Sequence, residues 1–288
     1  MTAAIYAIRK RLNVLLVSRD LGGKTQYRLA LPWIEDYQVI RGLEIVNKFK
    51  SELEYLEFAR HMEPVDNILP REDVFAVVPR SGVELVTRAV IIATGSRQQF
   101  MEVPGEKEFI MHGLCYSALS YAPLFIDRTV VVIGDGELAL RSAAELATVA
   151  KHVHIICSCG QFPESPLAQK LRLAGHVTPL FDQQVVEVLG DQYARTIVLK
   201  NPAGEQVEID ADAFFVERAL IPNSKMAAEL VDLDEHGRIK VDINNCTNVP
   251  GIFAAGDVTN SFAEQVLVAV GEGAKAALSA YDYLLPCL

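Results

Sequence analysis

The chain has 288 residues, of which 50% are hydrophobic and 22% are charged, so a packed core is expected and wholesale disorder is excluded. Its formal net charge of −10 excludes the basic surface that binding to nucleic acid or to an anionic membrane would require. No apolar run approaches the roughly 20 residues of a membrane span, and the first residues lack the apolar core and cleavage site of a signal peptide. The five cysteines are scattered without a disulfide framework, which is typical of the reducing cytoplasm, where we expect the protein.

The chain contains two internal similarities, which predict two related halves. The segment TAAIYAIRKRLNVLLVS, from Thr2, resembles SAAELATVAKHVHIICS, from Ser142, and each predicts a helix followed by a short buried strand. Further along, ELVTRAVIIATG, from Glu84, parallels EIDADAFFVERA, from Glu208, and each predicts two strands joined by a short polar turn. A chain of 288 residues also accommodates about two domains.

The strand and glycine loop that should precede the first copy would fall before residue 1, because Met1 corresponds to Arg141 of the second copy. A parallel sheet that lacks this strand is expected to have a gap in its core. Two explanations stay open. Either Met1 is an internal methionine of a longer protein, or the chain is shortened and this cofactor site is damaged.

A dinucleotide-binding pattern stands at the start of the second copy. The stretch TVVVIGDGELA, from Thr129, predicts a buried strand before Gly134, Gly136 and Ala139 and a helix after them. In this pattern the first glycine permits a tight turn, the second lets the backbone approach a pyrophosphate, and the third small residue packs the helix on the strand. The helix N-terminus adds donors and a positive dipole for phosphate. The alternative is a glycine turn that binds no ligand.

Three motifs together carry a family resemblance: VIIATG from Val90, GIFAAGDVTN from Gly251 with the following QVLVAVGEGAKAA, and the glycine loop between them. The arrangement resembles the low-molecular-weight thioredoxin reductases, within the pyridine nucleotide-disulfide oxidoreductase superfamily of flavoproteins, over nearly the whole chain. The resemblance implies an α/β fold of two Rossmann-like dinucleotide-binding domains of the three-layer ββα type, the second inserted into the first. Residues 1–111 and 246–288 would form an FAD-binding domain without its first strand and glycine loop, and residues 112–245 an NAD(P)-binding domain. It also implies a homodimer.

The resemblance assigns FAD binding to four short segments. Their residues are Gly22, Gly23, Lys24, Thr94, Gly95, Gly256, Asp257, Gln265 and Val266. Lys24 replaces a glutamine in the loop beside the flavin, Asp257 is the carboxylate for the ribitol chain, and Gln265 begins the helix over the isoalloxazine ring. The alternatives are a plain strand-ending turn at Thr94 and a helix N-cap without ligand at Asp257. FAD binding is in question if the chain begins at Met1.

The redox motif of the family is changed. Counted back from Gly134, its C-A-T-C falls on Ser117-Ala-Leu-Ser120, so both cysteines are replaced by serine. A serine hydroxyl neither ionises at neutral pH nor exchanges with a disulfide, and ordinary thioredoxin reduction through this site is therefore not expected. Cys115 has no resolving partner at this spacing, and no base near the serines indicates a hydrolase.

The nicotinamide side is changed as well. The stretch Cys157-Ser-Cys159-Gly stands where the family carries arginines for the 2′-phosphate of NADPH, and the acidic residue that favours NAD is also missing. Glu217-Arg-Ala replaces the A-I-G beside the nicotinamide. NAD(P)H use is therefore not expected, apart from weak nucleotide binding at the glycine loop.

The remaining candidates carry less weight. Cys157 and Cys159 are weak candidates for a transplanted dithiol, because a disulfide across one intervening residue is strained, and two small apolar residues that end a buried strand are the favoured interpretation. No metal site is expected, since His152 and His154 should face the opposite side of the strand from the cysteines. Trp33 is interpreted as packing rather than chemistry, and the charges around Glu106 as a solvated loop.

Three functions remain in competition. The first is a thioredoxin reductase-like, flavin-dependent oxidoreductase without the usual dithiol and without the NADPH 2′-phosphate residues, for which a small redox protein is a candidate partner. The second is a catalytically inactive relative that acts as a flavin- or nucleotide-binding sensor or as a protein-interaction partner. The third is a scaffold subunit without a cofactor.

Overall fold

The structure is a computed structural model that describes residues 1–37, 43–116 and 121–288. Ser117 and Ser120, the positions of the replaced dithiol, lie outside the described residues. The chain divides into two compact units. Unit 1 comprises Met1–Gln26, Ile40–Arg97 and Ile221–Leu288, and unit 2 comprises Tyr27–Val39 and Gln98–Leu220.

The helices and strands of the described residues are as follows. The α-helices are α1 (Thr2–Arg9), α2 (Leu43–Tyr55), α3 (Glu106–Phe109), α4 (Glu137–Leu146), α5 (Pro166–Leu173) and α6 (Val266–Leu284). The strands are β1 (Leu16–Val17), β2 (Leu29–Leu31), β3 (Ile34–Tyr37), β4 (Arg60–His61), β5 (Val65–Pro70), β6 (Phe75–Pro79), β7 (Leu85–Thr87), β8 (Val90–Ile92), β9 (Ser96–Gln98), β10 (Leu114–Cys115), β11 (Thr129–Ile133), β12 (His152–Ile156), β13 (Val177–Leu180), β14 (Gln184–Gly190), β15 (Ala194–Lys200), β16 (Gln206–Asp210), β17 (Ala213–Val216), β18 (Leu220–Pro222) and β19 (Ile252–Ala254). Short 3₁₀ helices lie at Gly23–Gln26, Glu57–Ala59, Ala122–Phe125, Lys225–Ala227 and Leu285–Cys287. None of the described helices is long and apolar enough to cross a membrane.

Unit 2 is built on a five-stranded parallel sheet in the order β10-β17-β11-β12-β13. Alternate residues of β11 face opposite layers. Val130 and Val132 pack with Leu140 and other residues of α4, whereas Val131 packs with Ile197 of the antiparallel sheet β14-β15-β16. The continuous apolar run of β11 is thus explained, because both faces of the sheet are covered.

Unit 1 also contains antiparallel and parallel strands. It has the antiparallel sheet β5-β6-β7, and its parallel strands form two separate pairs among the described residues, β1 with β4 and β8 with β19. Helix α1 packs closely on α6, since a Cβ atom on Gly273 would lie 3.2 Å from that of Thr2.

The fold class predicted from the sequence is confirmed, because both units are Rossmann-like α/β structures. The two internal similarities also correspond to equivalent elements. The first pairs α1 and β1 with α4 and β12, and the second pairs β7 and β8 with β16 and β17.

The two units divide the chain at positions other than the expected junctions near residues 111 and 245. Leu29 and Leu31 are fully buried in the core of unit 2 together with Phe125. On the other side, Val231 and Ile239 pack in the core of unit 1. Apolar contacts therefore hold Leu29 and Leu31 in unit 2, and Val231 and Ile239 in unit 1.

Glu106 does not lie in a solvated loop, so that interpretation is wrong. The residue is only 1% exposed, and its carboxylate accepts hydrogen bonds from the backbone N–H groups of Met101 at 2.7 Å and Glu102 at 2.6 Å. It also accepts one from the hydroxyl of Tyr116 at 2.7 Å. Burial, together with this bond to a carboxylate, raises the pKa of Tyr116. The sequence does not distinguish Glu106 from Glu108. Both belong to the same short charged run, yet Glu106 is buried and Glu108 is exposed.

We expect Glu106→Ala to lower the free energy of unfolding by about 3 kcal/mol, because the buried Tyr116 hydroxyl and two part-buried backbone N–H groups lose their acceptor. Urea unfolding, followed by the fluorescence of Trp33 in the same unit, measures the change. Glu108→Ala is the matched control from the same helix and should change stability by less than about 0.5 kcal/mol. Equal effects of the two substitutions would contradict the role assigned to Glu106.

Candidate functional site

Three of the segments assigned to FAD meet in unit 1. Lys24 Nζ donates hydrogen bonds to Asp257 Oδ2 at 2.6 Å and to Ser96 Oγ at 2.9 Å. Lys24 belongs to the segment of residues 22–24, Ser96 directly follows Gly95, and Asp257 directly follows Gly256. The segments are distant in sequence, and two of them meet because β8 and β19 are parallel neighbours whose carboxyl ends lie at one edge.

Two glycines shape this edge through the left-handed conformation. Gly95 has a φ of 65° and Gly256 a φ of 78°, which other residues rarely adopt. A Cβ atom on Gly95 would meet no described heavy atom within 4 Å, so its backbone borders open space. A Cβ atom on Gly256 would lie 3.3 Å from that of Ala269, so glycine lets this loop approach α6.

Thr94 is held in a hydrogen-bonded turn. Its hydroxyl donates to the carbonyl oxygen of Asn223 at 2.6 Å, and the Asn223 side-chain amide donates to the carbonyl oxygen of Thr94 at 2.9 Å. The backbone N–H of Asn223 donates to the carbonyl oxygen of Gly95 at 2.9 Å. The side chain of Thr94 therefore fixes the turn after β8, which is the role of a strand-ending turn. The backbone of the next residue, Gly95, borders the open space.

Helix α6 begins at the same edge, with Gln265 as its N-cap residue and Val266 as its first residue. Desolvation raises the pKa of Glu264, and the negative charge of Asp257 raises it further, while Lys24 opposes both effects. These interactions place the start of α6 close to the Lys24–Asp257 pair.

A further carboxylate at this edge was missed by sequence reasoning. Glu272 on α6 accepts hydrogen bonds from the backbone N–H of Gly256 at 2.7 Å and from the hydroxyl of Ser261 at 2.6 Å. Its position within the GEGAKAA motif was the only available signal, and the motif alone does not indicate which residue it contacts.

The ion pair between Lys24 and Asp257 is the main departure from the implied flavin site. The Lys24 side chain is 34% exposed and the Asp257 side chain 16%, so the pair is largely shielded from water. The carboxylate that the resemblance assigns to the ribitol chain therefore already has a cationic partner. This follows from the replacement of glutamine by lysine, since an ammonium group attracts a carboxylate and has three donors, of which two are used here.

The glycine loop of unit 2 joins β11 to α4. Gly134 packs against the backbone carbonyl of Glu217, which leaves no room for a side chain. Gly136 is the N-cap residue of α4 and borders open space, and Ala139 is fully buried between helix and strand. The three positions have the steric environments that the dinucleotide-binding pattern requires.

Asp135, inside this loop, binds the segment that follows β12. Its carboxylate accepts hydrogen bonds from the backbone N–H of Ser158 at 2.8 Å and from the Ser158 hydroxyl at 2.7 Å. A negative charge therefore stands beside the segment where the family carries arginines. Such a charge disfavours binding of a 2′-phosphate.

Cys157 and Cys159 form a disulfide, so the interpretation as two separate small residues is wrong. Their Cα atoms are 5.1 Å apart, which is within the ordinary range for disulfides. Cys157 is buried and Cys159 is half-buried. The rings of His152 and His154 pack against each other at 4.5 Å between centroids and take no part in this site.

Three other residues singled out from the sequence are Cys115, Cys246 and Trp33. Burial, together with the negative charge of Glu217, raises the pKa of the buried Cys115 thiol. Burial and the charge of Asp242 raise the pKa of Cys246. Trp33 packs edge-on against Phe125, with ring centroids 5.9 Å apart.

Comparisons with known proteins place the chain in a family. A family model described as pyridine nucleotide-disulphide oxidoreductase matches residues 1–273. This chain belongs to that family. The resemblance to thioredoxin reductase-like flavoproteins is therefore confirmed.

Individual relatives agree with this assignment. The chain is 31% identical over 287 residues to an alkyl hydroperoxide reductase subunit of Staphylococcus aureus (strain MSSA476), a match that covers 99% of this chain and 57% of that protein. Among solved structures, it is similar to the thioredoxin reductase from Streptococcus pyogenes MGAS5005, with 28% identity, a TM-score of 0.87 and coverage of 99% of this chain and 94% of that one. The thioredoxin reductase of Lactococcus lactis gives 30% identity and a TM-score of 0.64, with coverage of 99% and 95%. The chain thus spans little more than half the length of the curated relatives that it matches.

Family membership supports one expectation from the sequence and not another. It supports a flavoprotein oxidoreductase. It does not support the expectation that NAD(P)H is not used, because the family description itself names a pyridine nucleotide.

We expect Cys115 to resist alkylation in the folded protein between about pH 7 and pH 9. A raised pKa keeps the thiol protonated to higher pH, and the neutral thiol is a poor nucleophile. Iodoacetamide labelling followed by peptide mass spectrometry measures this, with the exposed Cys287 as the internal comparison. Labelling of Cys115 as fast as that of Cys287 would refute the prediction, and labelling of both in guanidinium chloride is the control.

Proposed function

We propose that this protein is a flavin-dependent oxidoreductase of the thioredoxin reductase type, which binds FAD in unit 1 and does not reduce thioredoxin through residues 117 and 120. The observation that supports it most strongly is the meeting of residues 22–24, 94–96 and 256–257 at one edge of unit 1. Segments so far apart in sequence have no local reason to converge, and each carries a glycine in the left-handed conformation.

The residues at this edge fit the cofactor. A side chain on Gly95 would fill the open space that borders its backbone, and Gly23 has no described heavy atom within 4 Å of its Cβ position either. Asp257 would accept hydrogen bonds from ribitol hydroxyls, Gly95 would bring backbone to the phosphate side, and residues 265–266 would lie at the ring. The N-terminus of α6 adds a positive dipole end.

When bound, FAD supplies an isoalloxazine ring that accepts and passes on electrons. At Lys24 the chain departs from the family pattern beside the flavin, because an ammonium group replaces a neutral amide. Its position between Asp257 and Ser96 holds a positive charge at this edge.

Electrons do not pass to their acceptor through the usual dithiol, because Ser117 and Ser120 have no thiol groups. The names of the relatives, alkyl hydroperoxide reductase and thioredoxin reductase, support reduction as the class of reaction. We assign a second, weak nucleotide site to Gly134, Gly136 and Ala139 in unit 2. A homodimer in the cytoplasm, and a small redox protein as electron donor, complete the proposal on the strength of the family resemblance.

A catalytically inactive, flavin- or nucleotide-binding relative is the second candidate. Two contacts favour it. Lys24 neutralises the carboxylate of Asp257, and Glu272 takes the backbone N–H of Gly256 that would otherwise be open to an anion. In this case a ligand would have to compete with two existing interactions.

The proposal predicts that Asp257→Asn weakens FAD binding by about 10- to 100-fold, because hydrogen bonds to a charged acceptor contribute roughly 1.5–3 kcal/mol. Calorimetric titration of flavin-free protein with FAD measures the dissociation constant independently of activity. Asp282→Asn, at an exposed position of α6, is the control and should bind FAD as the parent does. A parent protein that is colourless and binds no FAD would refute the flavin function itself.

The proposal also predicts that NADPH and NADH reduce the bound flavin slowly at best. Anaerobic mixing, with the flavin absorbance recorded over time, measures the rate. We expect no preference for NADPH, since Asp135 and not arginine faces the segment after β12. Fast bleaching by either nucleotide would contradict this part of the proposal, whereas a bound flavin that no donor reduces would favour the inactive relative.

A further inference from the structure

We infer that Cys157 and Cys159 form a redox-active disulfide that exchanges with small thiols at the carboxyl edge of the unit 2 sheet. This goes beyond the proposed flavin function and does not depend on it. Three independent features carry the inference. They are the unequal access to the two sulfurs, the hydrogen bonds that fix the loop, and the polar groups beside the sulfurs.

The two sulfurs differ in access to solvent. Cys157 has no exposed surface, whereas Cys159 is half-buried. An attacking thiolate therefore reaches Sγ of Cys159, and Sγ of Cys157 is the leaving sulfur. Such an asymmetry sets the order of events in thiol–disulfide exchange, because exchange depends on which sulfur is attacked.

Two groups act on the leaving sulfur. The backbone N–H of Cys159 donates to Sγ of Cys157 at 3.2 Å, which stabilises a thiolate there. Asp135 offers a carboxylate oxygen, and this atom and the two sulfurs all lie within 4.8 Å of one another. Its negative charge opposes a lasting thiolate, so Cys157 ends the exchange as the protonated thiol.

The exchange balances with thiols alone. A thiolate RS⁻ forms a bond to Sγ of Cys159, the Cys157–Cys159 bond breaks, and its electron pair stays on Sγ of Cys157. A second RS⁻ then attacks the sulfur of R in the mixed disulfide, which releases RSSR and the Cys159 thiolate. The protein disulfide gains two electrons and two protons, and two thiols are oxidised to one disulfide. The reverse reaction with RSSR restores the starting state.

The loop is held independently of the disulfide. The backbone N–H of Cys157 donates to Leu180 at 3.0 Å, and the backbone carbonyl of Cys157 accepts from Gln183 at 3.0 Å. The carbonyl of Cys159 accepts from Asp182 at 3.1 Å, and Ser158 is bound twice by Asp135. Because these bonds do not involve the sulfur–sulfur bond, the two thiols should stay close after reduction and close again into the same disulfide.

The test uses the full chain in mixtures of reduced and oxidised glutathione. Samples are quenched by alkylation, and the peptide that contains residues 157–159 is quantified by mass spectrometry. We expect both thiols to appear together as reduced glutathione increases, reversibly and without loss of the folded circular dichroism spectrum. A variant with Cys246→Ser and Cys287→Ser is the control and should show the same transition.

Single substitutions test the order of attack. In Cys157→Ser, the remaining Cys159 should form a mixed disulfide with glutathione at least about tenfold faster than the remaining Cys157 does in Cys159→Ser, because only Cys159 is accessible. Equal rates would overturn the assigned order. In the parent protein, a disulfide that resists excess reduced glutathione until the chain unfolds would show a structural role and overturn the inference. Two free thiols with about one zinc ion bound per chain would overturn it in favour of a metal site with Asp135.

Discussion

The parallel pairing of strands is the constraint on which both candidate sites depend. In unit 1, β8 and β19 end at the same edge and bring residues 94–96 and 256–257 together. In unit 2, β11 and β12 do the same for the glycine loop and the segment after Ile156. The buried apolar runs of these strands fix the pairing, and the polar residues that follow each strand are carried to the edge as a consequence.

The charged residues at these two edges, Lys24 and Asp135, determine which ligand groups each edge favours. Lys24 adds a positive charge where the family resemblance implies a neutral amide, and it pairs with Asp257. Asp135 places a negative charge beside the segment that lacks the family arginines. The first change holds the Asp257 carboxylate in an ion pair, and the second places a negative charge that disfavours a phosphate group nearby. Both changes alter which ligands are favoured without altering the backbone that would receive them.

The parts predicted correctly from the sequence are those in which local backbone geometry fixes the residue type. The apolar run before Gly134 and the repeated helix–strand pattern predicted the elements of unit 2. The burial of Glu106 was not predictable, because it depends on donors supplied by the local turn and by Tyr116. The disulfide was missed for a different reason. Alternate residues of a strand lie about 6.6 Å apart, but Cys157 and Cys159 follow the end of β12. There the chain turns, and their Cα atoms come to 5.1 Å.

The cysteines in the described part of the chain differ in burial and in bonding. Cys115 is buried, with a raised pKa, and the pKa of Cys246 is also raised. Cys287 is exposed but is not paired in a disulfide. The disulfide between Cys157 and Cys159 lies in unit 2, and of its two sulfurs only that of the half-buried Cys159 has access from solvent. The residues proposed for flavin lie in unit 1.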